Sequence, residues 1–253
     1  MAKEMGIATH IVSLSGGKDS TALLLMMLER GMQVDRVICV DTTKEFPQMY
    51  AHLERLQRRI GLEIEIVRLD YDYWFGEHVK TRGARKGETG YGWPNFLNRW
   101  CTSLKQRAFM CIAAGEPYDP RRWAVFRADN IVEYHGIAAD EARRATGDKR
   151  RPWRDIRYPL VEWGMTEADC LQYCYDHGYD WGGLYEKFQR LSCYCCPLSR
   201  LGELKVVHNE FPELWGKMRT MDKVSRRPFR RDYTLGELEQ KFSCSAGARD
   251  GED

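Results

Sequence analysis

The sequence predicts an α/β fold built on a parallel sheet. Two observations carry this prediction: apolar strand-like and helix-like segments alternate through the first 70 residues, and a glycine pair sits at the first strand-to-helix junction. A parallel pair of strands needs a crossover connection, and helices of the observed length supply one. From Thr166 onward the pattern turns helical throughout, which predicts a helical C-terminal extension.

Each element follows from local pattern. Ile11 to Leu14 reads as a short apolar strand and Asp19 to Arg30 as a helix. Arg36 to Val40 reads as a second strand, followed by an amphipathic helix over Gln48 to Ile60 with Leu53, Leu56 and Ile60 in register. Glu63 to Leu69 alternates as a third strand. Tyr71 to Asn98 breaks the rhythm with five glycines among aromatic and basic residues, and predicts a long irregular excursion. A helix near Thr102 to Ala114 resumes the pattern. Strand-like pieces follow at Trp123 to Phe126, Val132 to Ile137 and Ile156 to Leu160. Helices are then expected at Glu167 to His177, Leu201 to Asn209, Pro212 to Met221 and Leu235 to Phe242. Residues 1–165 form the expected nucleotide-binding domain and residues 166–253 the extension.

Composition narrows the classes. The chain has 253 residues, 43% of them hydrophobic, and a formal net charge of +2. Its longest apolar run, Ala22 to Leu28, is far shorter than the roughly 18 residues of a membrane span, so a soluble cytoplasmic protein with no membrane partner is expected. Nine cysteines, an odd number, suit reduced thiols and a metal site better than a disulfide framework.

The junction itself reads Ser15-Gly16-Gly17-Lys18-Asp19-Ser20. Glycines permit a tight turn, a helix N-terminus aims free N–H groups at an anion, Lys18 adds a full charge, and Ser15 and Ser20 add hydroxyls. A Walker A loop is excluded, because Val12 stands where its first glycine belongs and Asp19 follows the lysine. The hexamer matches SGGKDS, the PP-loop of the ATP pyrophosphatase superfamily. Further stretches resemble one branch: Asp41-Thr42-Thr43 with Glu45-Phe46-Pro47, Trp100-Cys101-Thr102 with Leu104-Lys105, Gly136 to Glu141, Tyr158-Pro159-Leu160, and Cys193 to Pro197. The chain thus resembles the phosphoadenosine phosphosulfate (PAPS) reductase family from about residue 10 to residue 220.

That resemblance implies a Rossmann-like parallel sheet with helices on both faces, of the PP-loop ATPase type. It also implies ATP with Mg2+, or a sulfonucleotide, on Ser15, Gly16, Gly17, Lys18, Asp19 and Ser20, flanked by Asp41, Thr42 and Thr43. Lys18, Asp19 and Lys105 are the implied catalytic residues, and Asp140, Glu141, Arg143 and Arg144 would meet the second substrate. Cys193 and Cys196 form a C-x-x-C, and Cys101 and Cys195 complete the set. Four thiolates, or three with one open iron, would hold a 4Fe-4S cluster or, as the alternative, Zn2+.

Three function classes follow: cleavage of ATP at the α-phosphate to adenylate a substrate for sulfur transfer, reduction of PAPS or adenylylsulfate to sulfite by a thiol reductant, and a non-catalytic nucleotide-binding subunit. Their partners would be a sulfur donor or thioredoxin-like protein, with a homo-oligomer also open. Two departures weigh on the reductase class. Cys244 lacks the family's preceding Glu and following His, and Ala138 stands where the family carries an arginine. The remaining cysteines, Cys39, Cys111, Cys170 and Cys174, read as packing.

Seven basic residues between Arg143 and Arg157, seven more between Lys217 and Arg231, and Lys80, Arg82, Arg85 and Lys86 near Tyr91, Trp93 and Phe96 make nucleic acid a further candidate partner. Solvated loops and helix faces are the competing reading of the same charges.

Overall fold

The computed structural model describes residues 8–121, 130–145 and 154–244. The chain forms two compact units, each assembled from separate stretches. The first comprises Met1–Asp41, Phe46–Leu69 and Leu104–Glu186, and the second Thr42–Glu45, Asp70–Ser103 and Lys187–Asp253.

The first unit holds a five-stranded parallel sheet in the order β3-β2-β1-β4-β5. Its strands are β1 (Thr9–Leu14), β2 (Arg36–Asp41), β3 (Ile64–Arg68), β4 (Ile131–His135) and β5 (Asp155–Arg157). β1 is central, with Ile11 and Val12 fully buried and paired to Arg36 and Val37 on one side and to Glu133 and Tyr134 on the other. Strand order reverses at β1 and β4, the place where open parallel sheets bind ligands beyond their carboxyl ends. The α/β class predicted from the alternation is the class observed.

Helix α1 (Lys18–Glu29) is buried on nearly every face, from Lys18 through Met27, as expected of a helix packed on all sides. Helix α2 (Pro47–Ile60) buries only the stripe Met49, His52, Leu53 and Leu56. Pro47 opens it, and Gly61, left-handed at φ 67°, closes it by donating to the Gln57 carbonyl. Helix α5 (Glu167–Asp176) lies along α1. It starts from a reciprocal cap between Thr166 and Asp169 and buries Cys170 and Cys174. Burial pushes the Cys170 thiol up to about 12 and Cys174 higher still, so both are neutral packing residues; Cys39 and Cys111 are buried as well.

The Ile156 to Leu160 segment is strand only over Asp155–Arg157, because Pro159 opens the short helix α4 (Pro159–Glu162). The Trp123 to Phe126 segment lies outside the described residues, as do Lys149, Arg150 and Arg151.

In the second unit the predicted irregular excursion is a packed aromatic assembly. Tyr91 stacks on Trp100 and Tyr71 lies tilted against it, the Trp74 and His78 ring centres are 4.2 Å apart, and Phe75 and Phe229 meet Trp93 edge-on. The indole of Trp93 donates to Asp222 at 2.7 Å and that of Trp100 to the Gly92 carbonyl at 3.0 Å. Trp93 is therefore a core residue, which removes it from the stacking surface expected of this stretch. Gly90 is left-handed, and a Cβ there would lie 2.2 Å from the Phe75 carbonyl oxygen. The short helix α6 (Leu184–Lys187) runs from the first unit's last stretch into this one, and helices α7 (Leu201–Glu210), α8 (Pro212–Val224) and α9 (Leu235–Cys244) complete it. Helix α3 (Trp100–Ala113) starts in it and continues into the first. No helix among the described residues is long and apolar enough to cross a membrane.

His52 on α2 ties α2 to α1 through Thr21 Oγ1 at 3.0 Å. Burial, and then the charge of Arg55, depress its pKa to about 4. The unfolded chain takes up this proton near pH 6.5 and the folded chain only near pH 4, so stability is present above 6.5 and declines across that window. The cost expected by pH 4 is about 3 kcal/mol, measurable as a fall in urea midpoint that His52→Gln largely removes.

Candidate functional site

The loop between β1 and α1 is shaped by its glycines. Gly16 is left-handed at φ 79°, and a Cβ on it would sit 2.7 Å from Met49 Sδ, so both backbone and space require glycine. Gly17 is extended and caps α1 without a side chain. The Ser20 hydroxyl accepts from the Ser15 amide at 3.1 Å and lies 2.9 Å from Ser15 Oγ and 3.1 Å from the Gly17 carbonyl, pinching the turn closed. Across the switch point, a Cβ at Gly136 would lie 2.8 Å from the Ser20 backbone, so the exit of β4 touches the first turn of α1.

Residues from far along the chain complete the surroundings. The Lys18 amide donates to the Tyr185 hydroxyl at 2.8 Å, and the Trp181 indole donates to the Gly16 carbonyl at 2.8 Å. Trp181, Gly182 and Gly183 are consecutive left-handed residues. For tryptophan this conformation is strained, and the fixed indole overrides the preference.

Lys18, 5% exposed, places Nζ 2.7 Å from Glu167 and 3.1 Å from Asp19. Burial works against its charge, but the two carboxylates outweigh it and raise its pKa. Asp19 is raised as well: burial leads, Lys18 opposes it, and the charges of Glu167 and Glu141 add to it. Asp140 accepts the Glu167 amide at 3.1 Å and so anchors the start of α5. Arg144 pairs with Glu141, while Arg143 is exposed on the same short turn. Lys105 is half-buried on α3. Asp41, at the end of β2, is buried, accepts from the Tyr50 hydroxyl at 3.0 Å and faces Arg68 at 3.8 Å. The structure thus gathers Ser15, Gly16, Gly17, Lys18, Asp19, Ser20, Asp140 and Glu141 around one turn.

In the second unit Thr42 is buried and Thr43 is left-handed at φ 63°, an outlier for a β-branched residue. Thr42 Oγ1 donates to Glu45 at 3.1 Å and lies 3.1 Å from Cys193 Sγ. The Cys196 amide donates to the Cys193 carbonyl, folding the C-x-x-C into a turn. The Tyr71 phenol is held well above its usual range by burial and then by the charges of Cys195, Cys193, Cys101 and Cys196, so all four sulfurs stand within electrostatic reach of one side chain. Burial raises Cys195 and Cys196 themselves. Sulfur donors of this number suit zinc or an iron–sulfur cluster. Among the described residues, however, no three His, Cys, Asp or Glu side chains converge on a position that could hold a metal ion, around the thiols or around Lys18. Cys244 is exposed at the end of α9.

Residues 9–114 match the phosphoadenosine phosphosulfate reductase domain. The PAPS reductase match begins at the first residue of β1 and runs just past α3, so it contains the Ser15 to Ser20 loop, Asp41 to Thr43, Cys101 and Lys105. An uncharacterized protein of Methanocaldococcus jannaschii is 28% identical over 237 residues, covering 90% of this chain and 43% of that protein. A second from the same organism is 24% identical over 221 residues, covering 86% and 48%. The chain therefore spans less than half the length of these two relatives. Among solved structures, the U34-tRNA thiolase NcsA from Methanococcus maripaludis with its 4Fe-4S cluster gives a TM-score of 0.43 at 15% identity, over 98% of this chain and 74% of that one.

Four contributors to the loop lie beyond the PAPS reductase match: Gly136, Glu167, Trp181 and Tyr185. Sequence reading passed over the last three. The one local signal was the Thr166 cap, which fixes where α5 begins and hence where Glu167 stands. Glu167→Gln is expected to cost about 1–2 kcal/mol in urea unfolding, by weakening the partner of a buried ammonium. In a double-mutant cycle with Lys18→Met that cost should largely vanish.

Proposed function

We propose that this protein binds ATP with Mg2+ on the Ser15 to Ser20 loop and cleaves it at the α-phosphate, releasing pyrophosphate. An oxygen of the second substrate forms the new bond to the α-phosphorus as the bond to pyrophosphate breaks. A sulfur donor then displaces AMP from the adenylate. The observation that carries this reading is the buried Lys18 ammonium at the head of α1, on a glycine turn at the sheet's switch point and inside the matched domain.

Each residue's part follows from its chemistry. The loop amides and Lys18 would hold the β- and γ-phosphates, with Ser15 and Ser20 offering hydroxyls. Asp19 has a raised carboxyl pKa and would take a proton from the attacking hydroxyl. Asp41, Thr42 and Thr43 would flank the nucleotide, and Lys105, Asp140, Glu141, Arg143 and Arg144 would place the second substrate. Cys101, Cys193, Cys195 and Cys196 would have to draw together from the positions described above to hold a 4Fe-4S cluster or Zn2+, which would supply a soft centre for sulfur or a fixed fold.

ATP labelled at the α-phosphate distinguishes the outcomes. With acceptor and sulfur donor present, AMP and pyrophosphate are expected, and Lys18→Ala should lower kcat/KM about 100-fold. ADP as the nucleotide product would overturn the proposal. Anaerobic purification should yield iron with acid-labile sulfide, lost in Cys193→Ser; zinc in its place would assign the thiols a structural role.

The name of the matched domain supports a second reading, sulfonucleotide reduction. Sulfite formed from PAPS or adenylylsulfate by wild type, and abolished in Cys244→Ser, would establish it.

A further inference from the structure

Two segments of the second unit concentrate positive charge. Lys80 to Glu88 carries Lys80, Arg82, Arg85 and Lys86 against Glu88, and Lys217 to Arg231 carries seven basic residues against Asp222. Both acids are already engaged: Glu88 holds Lys80 at 2.8 Å, and Asp222 accepts the Trp93 indole. The first segment is a small antiparallel loop, bridged at Val79 and Thr89 and closed by the Lys80 amide donating to the Glu88 carbonyl. That pairing puts Arg82, Arg85 and Lys86 on its exposed tip.

The second segment comes to the same place. A Cβ at Gly92 would lie 3.5 Å from Arg227 Cβ, and the Ser225 hydroxyl bridges the amide and carbonyl of Arg227, fixing its position. Burial, and then the like charge of Arg85, lower the Arg227 pKa against the opposing charge of Glu88, which places the Arg227 guanidinium on the same ground as the loop. Arg226 reaches the same ground, since its charge and that of Arg85 both act on Glu88. Among the described residues, Arg85, Arg226 and Arg227 have no side-chain hydrogen bond or ion pair, unlike Arg230, which is bound to Asp232 and to the Pro197 and Ser199 carbonyls. Three guanidiniums share this ground with the single carboxylate of Glu88, which Lys80 already holds, so an added anion is favoured there.

An apolar edge lies nearby. Asn95 Oδ1 accepts from the amides of Leu97 and Asn98 and holds a turn that presents Phe96 81% exposed and Leu97 99% exposed. Phe96 is four residues from Gly92, within about 14 Å by chain length. Guanidiniums fit phosphates through paired donors, and an exposed ring offers a stacking face to an unpaired base.

We infer that the second unit carries a docking surface for single-stranded nucleic acid, with Arg85, Arg226 and Arg227 on the phosphates and Phe96 under a base. It goes beyond the proposed function and does not depend on the chemistry at the Lys18 loop.

Fluorescence anisotropy of the full chain with a labelled single-stranded 20-nucleotide DNA of mixed sequence tests it across a salt series. Arg85→Ala/Arg226→Ala/Arg227→Ala should weaken binding at least about 10-fold and flatten the log–log salt slope by about 2, near 0.7 for each phosphate no longer neutralised. Phe96→Ala should weaken it roughly 5- to 100-fold. Because Arg227 is half-buried, Arg85→Ala/Arg226→Ala, at two exposed positions, serves as the second variant, with a melting temperature equal to wild type and a slope change of about 1.4. Wild-type affinity and slope in both charge variants would overturn the inference. So would a duplex that binds tighter than the single strand, or polyglutamate that displaces the probe as well as unlabelled oligonucleotide does. Pyrophosphate release is scored separately, so its loss with oligonucleotide binding intact counts against the proposed function alone.

Discussion

The close approach of the β4 exit to the first turn of α1 is the constraint on which the first unit depends. With no side chain at Gly136, the backbone of one strand end can rest on the backbone of the helix start, and β1 and β4 can separate at their carboxyl ends only as far as that approach allows. Gly16 imposes the matching requirement on the other side, where Met49 and Leu53 of α2 close on the turn. The Ser15 to Ser20 loop is thus gripped by backbone and apolar side chains before any polar group is counted. Its hydrogen bonds, Ser20 on Ser15 and Gly17, refine a shape that packing already dictates.

Electrostatics then builds on that shape. A lysine this buried would shed its charge without compensation, and Glu167 together with Asp19 keeps it cationic. Burial raises Asp19 in the same place, and the charges of Glu167 and Glu141 add to it against the pull of Lys18. One turn therefore presents a cation steadied by two carboxylates beside a carboxyl whose pKa is raised. This asymmetry gives neighbouring residues different chemical capacities.

Much of this was legible from pattern. The alternation of β1, α1, β2, α2 and β3 is written in apolar spacing, and their bounds agree with it to within a residue or two. Tyr71 to Asn98 was not legible in the same way. Its aromatic residues follow neither a period of two nor of 3.6, and Gly83, Gly87, Gly90 and Gly92 turn the backbone through left-handed conformations, so ring-on-ring packing leaves no periodic trace. The loop residues were readable because their types are set locally by the turn. Glu167, Trp181 and Tyr185 were not, because nothing in their own neighbourhoods refers to Lys18 some 150 residues earlier.

That separation has a consequence for how the chain is made. At ribosomal rates of about 5–20 residues per second, Lys18 emerges roughly 7 to 30 s before Glu167 and longer before Tyr185. During that interval β1, α1 and β2 can collapse, but the ammonium at the helix start has no acid from α5 and no hydroxyl on its amide. The nascent sheet therefore waits with its Ser15 to Ser20 loop unset. A stall or truncation between the third strand and α5 would leave a compact body whose least settled part is the loop on which its chemistry is proposed to rest.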